Sequence, residues 1–271
     1  MTVHHSPSQN GPGSHTAHAV YSSAEGSIRT IARAMSVLDC FSGCSQELGA
    51  SDIAYRLGLQ KSTVYNILST LAMCGYLERN PISNKYYPST HTLGLSWSAL
   101  EHLNVRSVFY PRLKLLSDET HKICSIAALE SSCIQCLYCV SPSDLFSYAP
   151  AMGETAPLHC TCSGKLFLAY MEESDIREIL KKPLKAYTSL TITDPNELLA
   201  QLETIRSQGY ALDNMEHLYG KRSVSIPIFN QEGQMLYAAS MSAPSTHISL
   251  QAVDEMIQRL RTTFDPLQNK L

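Results

Sequence analysis

The chain has 271 residues, of which 44% are hydrophobic and 17% charged, and its formal net charge is −3. This composition is typical of a globular protein and excludes a fibrous or wholly unfolded chain, and the length predicts two domains. No apolar run reaches the roughly 18 to 20 residues of a membrane span, and the N-terminus lacks the apolar core of a signal peptide. We therefore expect a cytoplasmic protein whose nine cysteines are reduced thiols.

Charge is divided unevenly along the chain. Residues 28–90 carry six basic and four acidic side chains, a net charge of +2, whereas residues 91–271 carry fifteen basic and nineteen acidic ones, a net charge of −4. A nucleic-acid-binding region would therefore lie in the N-terminal part. Residues 1–26 are rich in Ser, Gly, Pro and His and have few large aliphatic side chains, which predicts a disordered arm.

Three helices followed by a hairpin are predicted after this arm. Apolar residues at helical spacing predict a first helix that begins at an N-cap on Ser27 and ends at Gly43. The second and third helices are predicted at Ala50–Leu57 and Lys61–Cys74, each followed by a glycine. Residues 76–87 read as strand, turn and strand.

Ala54, Gly58 and Val64 have the spacing of a helix-turn-helix motif, at relative positions 0, +4 and +10. The small alanine lets two helices approach, the glycine permits a tight turn, and the valine anchors the second helix to the core. The second helix would present to the major groove the side chains of Gln60, Lys61, Ser62, Thr63, Tyr65 and Asn66. An ordinary helical hairpin with a polar outer face is the alternative.

The hairpin after this motif favours DNA binding. Arg79 and Lys85 flank its tip, where a wing would contact phosphates or the minor groove. Three helices followed by a two-stranded wing form a winged helix-turn-helix. A solvated surface hairpin remains the alternative explanation.

The rest of the chain predicts an α+β domain. Residues 92–120 are predicted to be helical, with a break or kink at Pro111, and to connect the two domains. Short β-like runs follow at residues 125–129, 133–140, 224–229 and 236–241, and helical runs at residues 162–171, 174–180, 195–208 and 250–264. This pattern favours a mostly antiparallel sheet with helices packed beside it.

Several blocks, in this order, resemble the IclR family of bacterial transcriptional regulators. They are residues 27–38, 51–77, 86–88 and 93–94 in the N-terminal half, and residues 153–159, 163–165, 209–217 with Gly220, and 240–244 in the C-terminal half. The resemblance implies a winged helix-turn-helix at residues 27–90, a linker helix at 91–108 and a GAF-like effector-binding and oligomerisation domain at 109–271. It also implies a homodimer, in some cases paired into a homotetramer, that binds double-stranded operator DNA.

The resemblance further implies where an effector binds. Carried over position by position, the effector pocket comprises Leu145, Cys162, Ser163, Asp213, Ser223, Ser240 and Ser242. Hydroxyls and the backbone amides near residues 163–165 would bind the carboxylate of a small organic or aromatic acid. Two positions depart from the family: Cys162 stands where Gly or Ala is usual, and Met215 where an acidic residue is common.

Two cysteine patterns suggest other chemistry. Cys133, Cys136 and Cys139 have a spacing that invites zinc or an iron–sulfur cluster. Strand alternation would place Cys136 on the face opposite the other two, so we favour buried thiols over a metal site. His159 lies near Cys160 and Cys162, as in a thiol hydrolase, but the partners of such a pair usually come from distant segments.

The sequence therefore predicts a ligand-responsive transcriptional regulator that is not an enzyme and has no cofactor, no metal and no membrane partner. Two alternatives remain open. One is a constitutive DNA-binding protein whose C-terminal domain only oligomerises, and the other is a thiol hydrolase with an accessory helix-turn-helix. Binding of a promoter fragment, with an affinity that falls steeply as salt rises, would distinguish a regulator from an enzyme. Ligand indifference in thermal melts would identify the constitutive protein.

Overall fold

The structure, a computed structural model, describes residues 28–42, 46–103, 105–143, 148–249 and 252–270. The chain forms two compact units that divide between Thr92 and Leu93. Within the described ranges, none of the helices has the length and apolar character needed to cross a lipid bilayer. The arm predicted for residues 1–26 lies outside the described residues.

The N-terminal unit contains three helices and a two-stranded hairpin, as the sequence predicts. These elements are α1 (Arg29–Asp39), α2 (Ala50–Leu57), α3 (Lys61–Met73), β1 (Leu77–Arg79) and β2 (Tyr86–Pro88). The ends predicted for α1 were wrong, because Ile28 occupies its N-cap position and the helix stops at Asp39. Ser27 and Gly43, which the sequence predicted as its two ends, lie outside the described residues.

A single apolar core holds the three helices and the hairpin together. Ile53, Val64 and Leu68 are fully buried in it, and β2 contributes the nearly buried Tyr86. Between α2 and α3, Gly58 has a φ of +63°, a left-handed conformation that glycine adopts without strain. The tight turn and the buried valine are therefore those of the predicted helix-turn-helix.

The predicted connecting helix is interrupted before Pro111. α4 (His91–His102) is followed by a π-helical segment (Val105–Phe109) and by α5 (Tyr110–Thr120). Pro111 stands in the first turn of α5, where a missing amide hydrogen costs nothing. The structure agrees with the predicted break, because the π-helical segment ends at Phe109 and α5 begins at Tyr110, one residue before the proline. Among its described residues, α4 has none that is buried, and Leu93 is 65% exposed.

The C-terminal unit contains a six-stranded sheet in which every neighbouring pair is antiparallel. The strands are β3 (Ile123–Glu130), β4 (Cys133–Val140), β5 (Thr155–Pro157), β6 (Ala211–Asn214), β7 (Lys221–Phe229) and β8 (Met235–Pro244), in the order β5-β4-β3-β8-β7-β6. After α5, the helices of this unit are α6 (Cys162–Tyr170), α7 (Glu173–Leu180), α8 (Pro195–Gln208) and α9 (Ala252–Phe264). The two edge strands, β5 and β6, were not predicted, because three and four residues are too few to show a period of two.

The two faces of this sheet differ in character. Val224, Ile226 and Met241 point to one face and pack with α5 and α9 in the larger apolar core. The alternate positions on β7 and β8 carry Ser223 and Ser242, which are directly paired across the strands on the other face, beside α6. Since serines fill less space than the apolar residues opposite, this face leaves room for a cavity.

A β-bulge changes the predicted placement of the three strand cysteines. Ile126 pairs with Tyr138 and Ala127 with Cys136, so Leu137 is the extra residue. The alternation of faces shifts at this point, and Cys136 lies on the same face as Cys139 while Cys133 lies on the other. The prediction is confirmed for Cys133 and Cys136, which lie on opposite faces, and is wrong for Cys139, because regular alternation does not continue through a bulge.

Candidate DNA-binding and effector sites

The outer face of α3 carries the side chains predicted to contact DNA. The helix buries Val64, Ile67 and Leu68 on its inner side. The predicted residues Gln60, Lys61, Ser62, Tyr65 and Asn66 are exposed, and Thr63 is half-buried. The structure thus brings these hydrogen-bonding groups together on and beside one exposed helix surface.

The two basic residues of the wing differ in their surroundings. Lys85 Nζ lies 3.6 Å from Asp52 Oδ2 at the start of α2, whereas the exposed Arg79 is in no ion pair within the described residues. The Arg79 guanidinium lies 5.9 Å from the ring centre of Tyr86, and the exposure of this residue leaves its charge open to solvent. Arg79 is therefore better placed than Lys85 to contact a phosphate.

An acidic residue that sequence reasoning missed fixes the wing turn. Glu47 accepts hydrogen bonds from Ser83 Oγ and from Asn80 Nδ2, each at 2.6 Å. The hydrogen bond from Ser83, followed by that from Asn80, lowers the pKa of Glu47 below its ordinary value. Tyr55, which is 92% exposed on α2, was also absent from the residues predicted for DNA binding. Neither position has a sequence signal that separates it from an ordinary polar surface.

A cavity of about 80 Å³ lies between the N-terminal end of α6 and the serine-bearing face of the sheet. It is lined by six of the seven positions predicted for the effector: Cys162, Ser163, Asp213, Ser223, Ser240 and Ser242. These residues come from α6, β6, β7 and β8, and all six are buried. The seventh predicted position, Leu145, lies outside the described residues.

The serines of the cavity are not equivalent. Ser240 Oγ is 2.7 Å from Ser125 Oγ, and Ser163 Oγ is 3.3 Å from Ser225 Oγ. Within the described part of the chain, the hydroxyls of Ser223 and Ser242 have no hydrogen-bond partner, although both side chains line the cavity. Two hydroxyls are therefore available to a ligand without breaking a protein hydrogen bond.

The start of α6 is partly capped by the protein itself. Thr161 Oγ1 accepts a hydrogen bond from Gly164 N at 3.1 Å and donates one to Pro157 O at 2.7 Å. A Cβ atom on Gly164 would lie 2.4 Å from Leu158 O, so only glycine allows this close approach. The expectation that the amides of residues 163–165 bind a carboxylate needs correction, because the Gly164 and Lys165 amides already have partners.

Four acidic or basic side chains line the cavity, namely Glu154, Asp213, His217 and Lys221, and the sequence predicted only Asp213 among them. Burial raises the pKa of Asp213 to about 7, although its Oδ1 accepts hydrogen bonds from the amides of Glu216 and His217. Burial, and then the charge of Lys221, lowers the pKa of His217 to about 4. Lys221 and Glu154 also line the cavity. Lys221 had a sequence signal, because it lies two residues before Ser223 on the same strand face.

A buried ion pair supports the loop behind Asp213. Lys165 Nζ lies 2.5 Å from Glu216 Oε1, and the Lys165 side chain is completely buried. The amide of the same glutamate donates to Asp213 Oδ1. Lys165 is therefore a structural charge that does not line the cavity, and it holds the segment that positions Asp213.

The residues that suggested a thiol hydrolase are not arranged as one. His159 Nε2 is hydrogen-bonded to Lys185 O at 2.9 Å. Burial raises the pKa of the Cys160 thiol well above its ordinary value and that of Cys162 to about 12, which opposes formation of a nucleophilic thiolate. Among the described residues, no three His, Cys, Asp or Glu side chains form a group that could bind a metal ion.

Comparison with known proteins identifies the family. The profile of the bacterial transcriptional regulator IclR C-terminal domain matches residues 97–268, and that of the IclR helix-turn-helix domain matches residues 30–81. The chain belongs to the IclR family. The winged helix-turn-helix and the GAF-like α+β unit are the two parts of an IclR regulator, which binds DNA and responds to a small-molecule ligand.

Relatives agree with the IclR assignment over most of their length. The Pca regulon regulatory protein of Pseudomonas putida is 30% identical over 234 residues, which cover 85% of this chain and 78% of that protein. An IclR transcriptional regulator from Silicibacter sp. TM1040 superimposes with a TM-score of 0.78 at 26% identity, covering 88% of this chain and 94% of that one. An IclR homologue from Microbacterium hydrocarbonoxydans, solved in complex with 4-hydroxybenzoate, has a TM-score of 0.73 at 24% identity, covering 88% and 98%.

Proposed function

We propose that this regulator binds its operator as a homodimer through α3 and the wing, and that a small organic or aromatic acid in the C-terminal cavity changes its DNA affinity. Residues 27–90 read DNA, residues 91–108 form the linker, and residues 109–271 bind the effector and oligomerise. The observation that carries this proposal is the convergence of Cys162, Ser163, Asp213 and the three serines of β7 and β8 on one buried cavity.

In this proposal α3 reads the base sequence and the wing fixes the position on DNA. Support comes from the exposed Tyr65 and Asn66 on α3 and from the open charge of Arg79 on the wing. A promoter fragment titrated at several salt concentrations tests this assignment. Arg79→Ala weakens binding to all sequences and reduces the salt slope by about one, whereas Asn66→Ala relaxes discrimination at particular base pairs. A change of base preference in Arg79→Ala alone would overturn the assignment.

The effector class follows from the donors in the cavity. Ser223 and Ser242 offer hydroxyls, and the homologue solved with 4-hydroxybenzoate is an IclR protein that binds an aromatic acid. A screen of acids by thermal shift tests the proposal, because a ligand that binds only the folded state raises the melting temperature. If no ligand changes melting or DNA affinity, the C-terminal unit only oligomerises and the protein is a constitutive DNA-binding protein.

The homodimer is supported by the exposed apolar side chains of α4, among them Leu93, Leu95 and Trp97. Dimers bind two half-sites of an operator and can pair into a homotetramer. Light scattering after size exclusion measures the oligomeric state directly, and a monomer at micromolar concentration would overturn the proposed homodimer.

Two further parts of the proposal are the location of the protein and its lack of enzymatic activity. A protein whose partner is operator DNA acts in the cytoplasm. The raised pKa values of the buried thiols of Cys160 and Cys162 support a regulator that is not an enzyme.

A further inference from the structure

Lys221 stands at the start of β7, at one side of the effector cavity. It lies on the same strand face as Ser223 and lines the same cavity as Asp213, His217 and Glu154. Its ammonium group lies 5.0 Å from the ring centre of Tyr148. The cavity therefore combines one lysine, an aromatic wall and a set of hydroxyls.

The ammonium group of Lys221 has no partner that neutralises it. Lys221 is half-buried, and no carboxylate of the described residues lies within 4.0 Å of its Nζ, in contrast to the fully buried Lys165, which is paired with Glu216. Burial lowers the pKa of Lys221 below its ordinary value, and the charges of the surrounding groups, among them Asp213 and Glu154, offset this effect only in part. An anionic ligand in the cavity would supply that counter-ion.

The other groups of the cavity limit the charge of such an anion. Glu154 Oε2 accepts a hydrogen bond from the amide of Ala151. Asp213 adds a second negative charge to the cavity as pH rises through its pKa of about 7. His217 has a lowered pKa and is neutral at that pH, so Lys221 is the cation that faces these two acids across the cavity. A second carboxylate on the ligand would therefore meet repulsion.

We propose that Lys221 binds the carboxylate of the effector and that the site selects acids with a single carboxylate and a neutral oxygen substituent. The carboxylate meets the ammonium group beside Tyr148. The hydroxyls of Ser223 and Ser242 meet the hydroxyl or oxo oxygen of the ligand. This inference rests on the proposed function and assigns to the cavity a charged anchor that the family resemblance did not supply.

The test uses the full-length protein and a defined panel of probes. The monocarboxylates are benzoate, 4-hydroxybenzoate, lactate and pyruvate. The dicarboxylates are phthalate and malate, and the neutral analogues are benzamide and 4-hydroxybenzamide. Thermal shift at millimolar concentration identifies the compounds that bind, and calorimetry measures their affinities. The variants are Lys221→Met and Lys221→Arg, with Lys182→Met as a control at an exposed lysine of the same unit.

We expect at least one monocarboxylate to stabilise the wild type, with its neutral amide and the dicarboxylates binding at least tenfold more weakly. Lys221→Met should weaken binding of that monocarboxylate about 10- to 100-fold, which is the range for losing a charged hydrogen bond. Lys221→Arg should retain part of the affinity, and Lys182→Met should retain all of it. A cooperative urea transition in each variant, followed by circular dichroism, shows that the C-terminal unit folds, and the acid-to-amide comparison on wild type stands even if a variant does not fold.

Three results would overturn the role of Lys221: no monocarboxylate binds, the amide binds as well as its acid, or Lys221→Met binds the acid as tightly as wild type. Failure of the proposed function looks different. If the wild type does not bind its promoter fragment, the regulator assignment fails whatever the affinity for acids. If a neutral compound releases the DNA, ligand control stands and the assignment of Lys221 fails.

Discussion

Removing Lys165 tests whether the buried ion pair holds the C-terminal unit together. Its side chain is 0% exposed and that of Glu216 is 7% exposed, with 2.5 Å between the charged atoms. In the described structure Glu216 Oε2 has no hydrogen-bond partner, so Lys165 is the group that compensates this carboxylate. Lys165→Met therefore leaves a buried, unpaired negative charge, which costs about 3–5 kcal/mol of unfolding free energy.

The matched variants separate the charge from the packing. Lys165→Met with Glu216→Leu removes both charges and should recover most of the lost stability, since apolar replacement of a buried pair is often neutral. Lys114→Met breaks the exposed helical pair of Lys114 with Asp118 and should cost under about 1 kcal/mol. Urea unfolding followed by circular dichroism measures all three variants. A loss below about 1 kcal/mol in Lys165→Met, or no recovery in the double variant, would show that the pair does not compensate a buried charge.

Three further predictions concern the glycines, the buried acid and the wing. Gly164→Ala forces a Cβ to within 2.4 Å of a backbone oxygen and should lower the unfolding free energy by about 1–3 kcal/mol. Gly94→Ala, in an open helical position, should raise the unfolding free energy by about 0.5–1 kcal/mol, and thermal melts compare the two variants. Asp213 has a folded-state pKa of about 7 against an ordinary 3.8, so the stability that its neutral form contributes is complete below pH 3.8 and is lost as pH rises through 7. Asp213→Asn should therefore stabilise the protein more at pH 8 than at pH 5 in urea titrations, and the same effect at both pH values would contradict the shift. Arg79→Ala should weaken promoter binding more than Lys85→Ala, because Asp52 already neutralises Lys85; equal losses in fluorescence anisotropy would show that the ion pair opens on DNA.

The N-terminal unit was largely predictable because its signals are local. The spacing of Ala54, Gly58 and Val64 depends on one helix pair, and a turn glycine with positive φ leaves a clear mark in the sequence. The ends of α2 were predicted to the residue. The ends of α1 were not, because no side chain caps that helix at Ile28.

The C-terminal unit was harder to predict wherever the outcome depends on non-local pairing. A single extra residue at Leu137 places Cys139 on the face of Cys136 and not on that of Cys133, and nothing in the run of cysteines marks this bulge. The capping of Gly164 by Thr161 depends on how α6 meets the segment before it. Lys221 could have been found, since the alternation that places Ser223 in the cavity places it there as well.

Operator affinity measured with and without a stabilising monocarboxylate shows whether the cavity controls DNA binding. We expect the acid to change the DNA affinity of wild type by about 5- to 150-fold, and DNA to change the affinity for the acid by the same factor. Ser242→Ala, which breaks no protein hydrogen bond, should weaken the response to the acid and leave ligand-free DNA binding unchanged. An acid that binds the cavity without any change in operator affinity would show that the cavity does not control DNA binding.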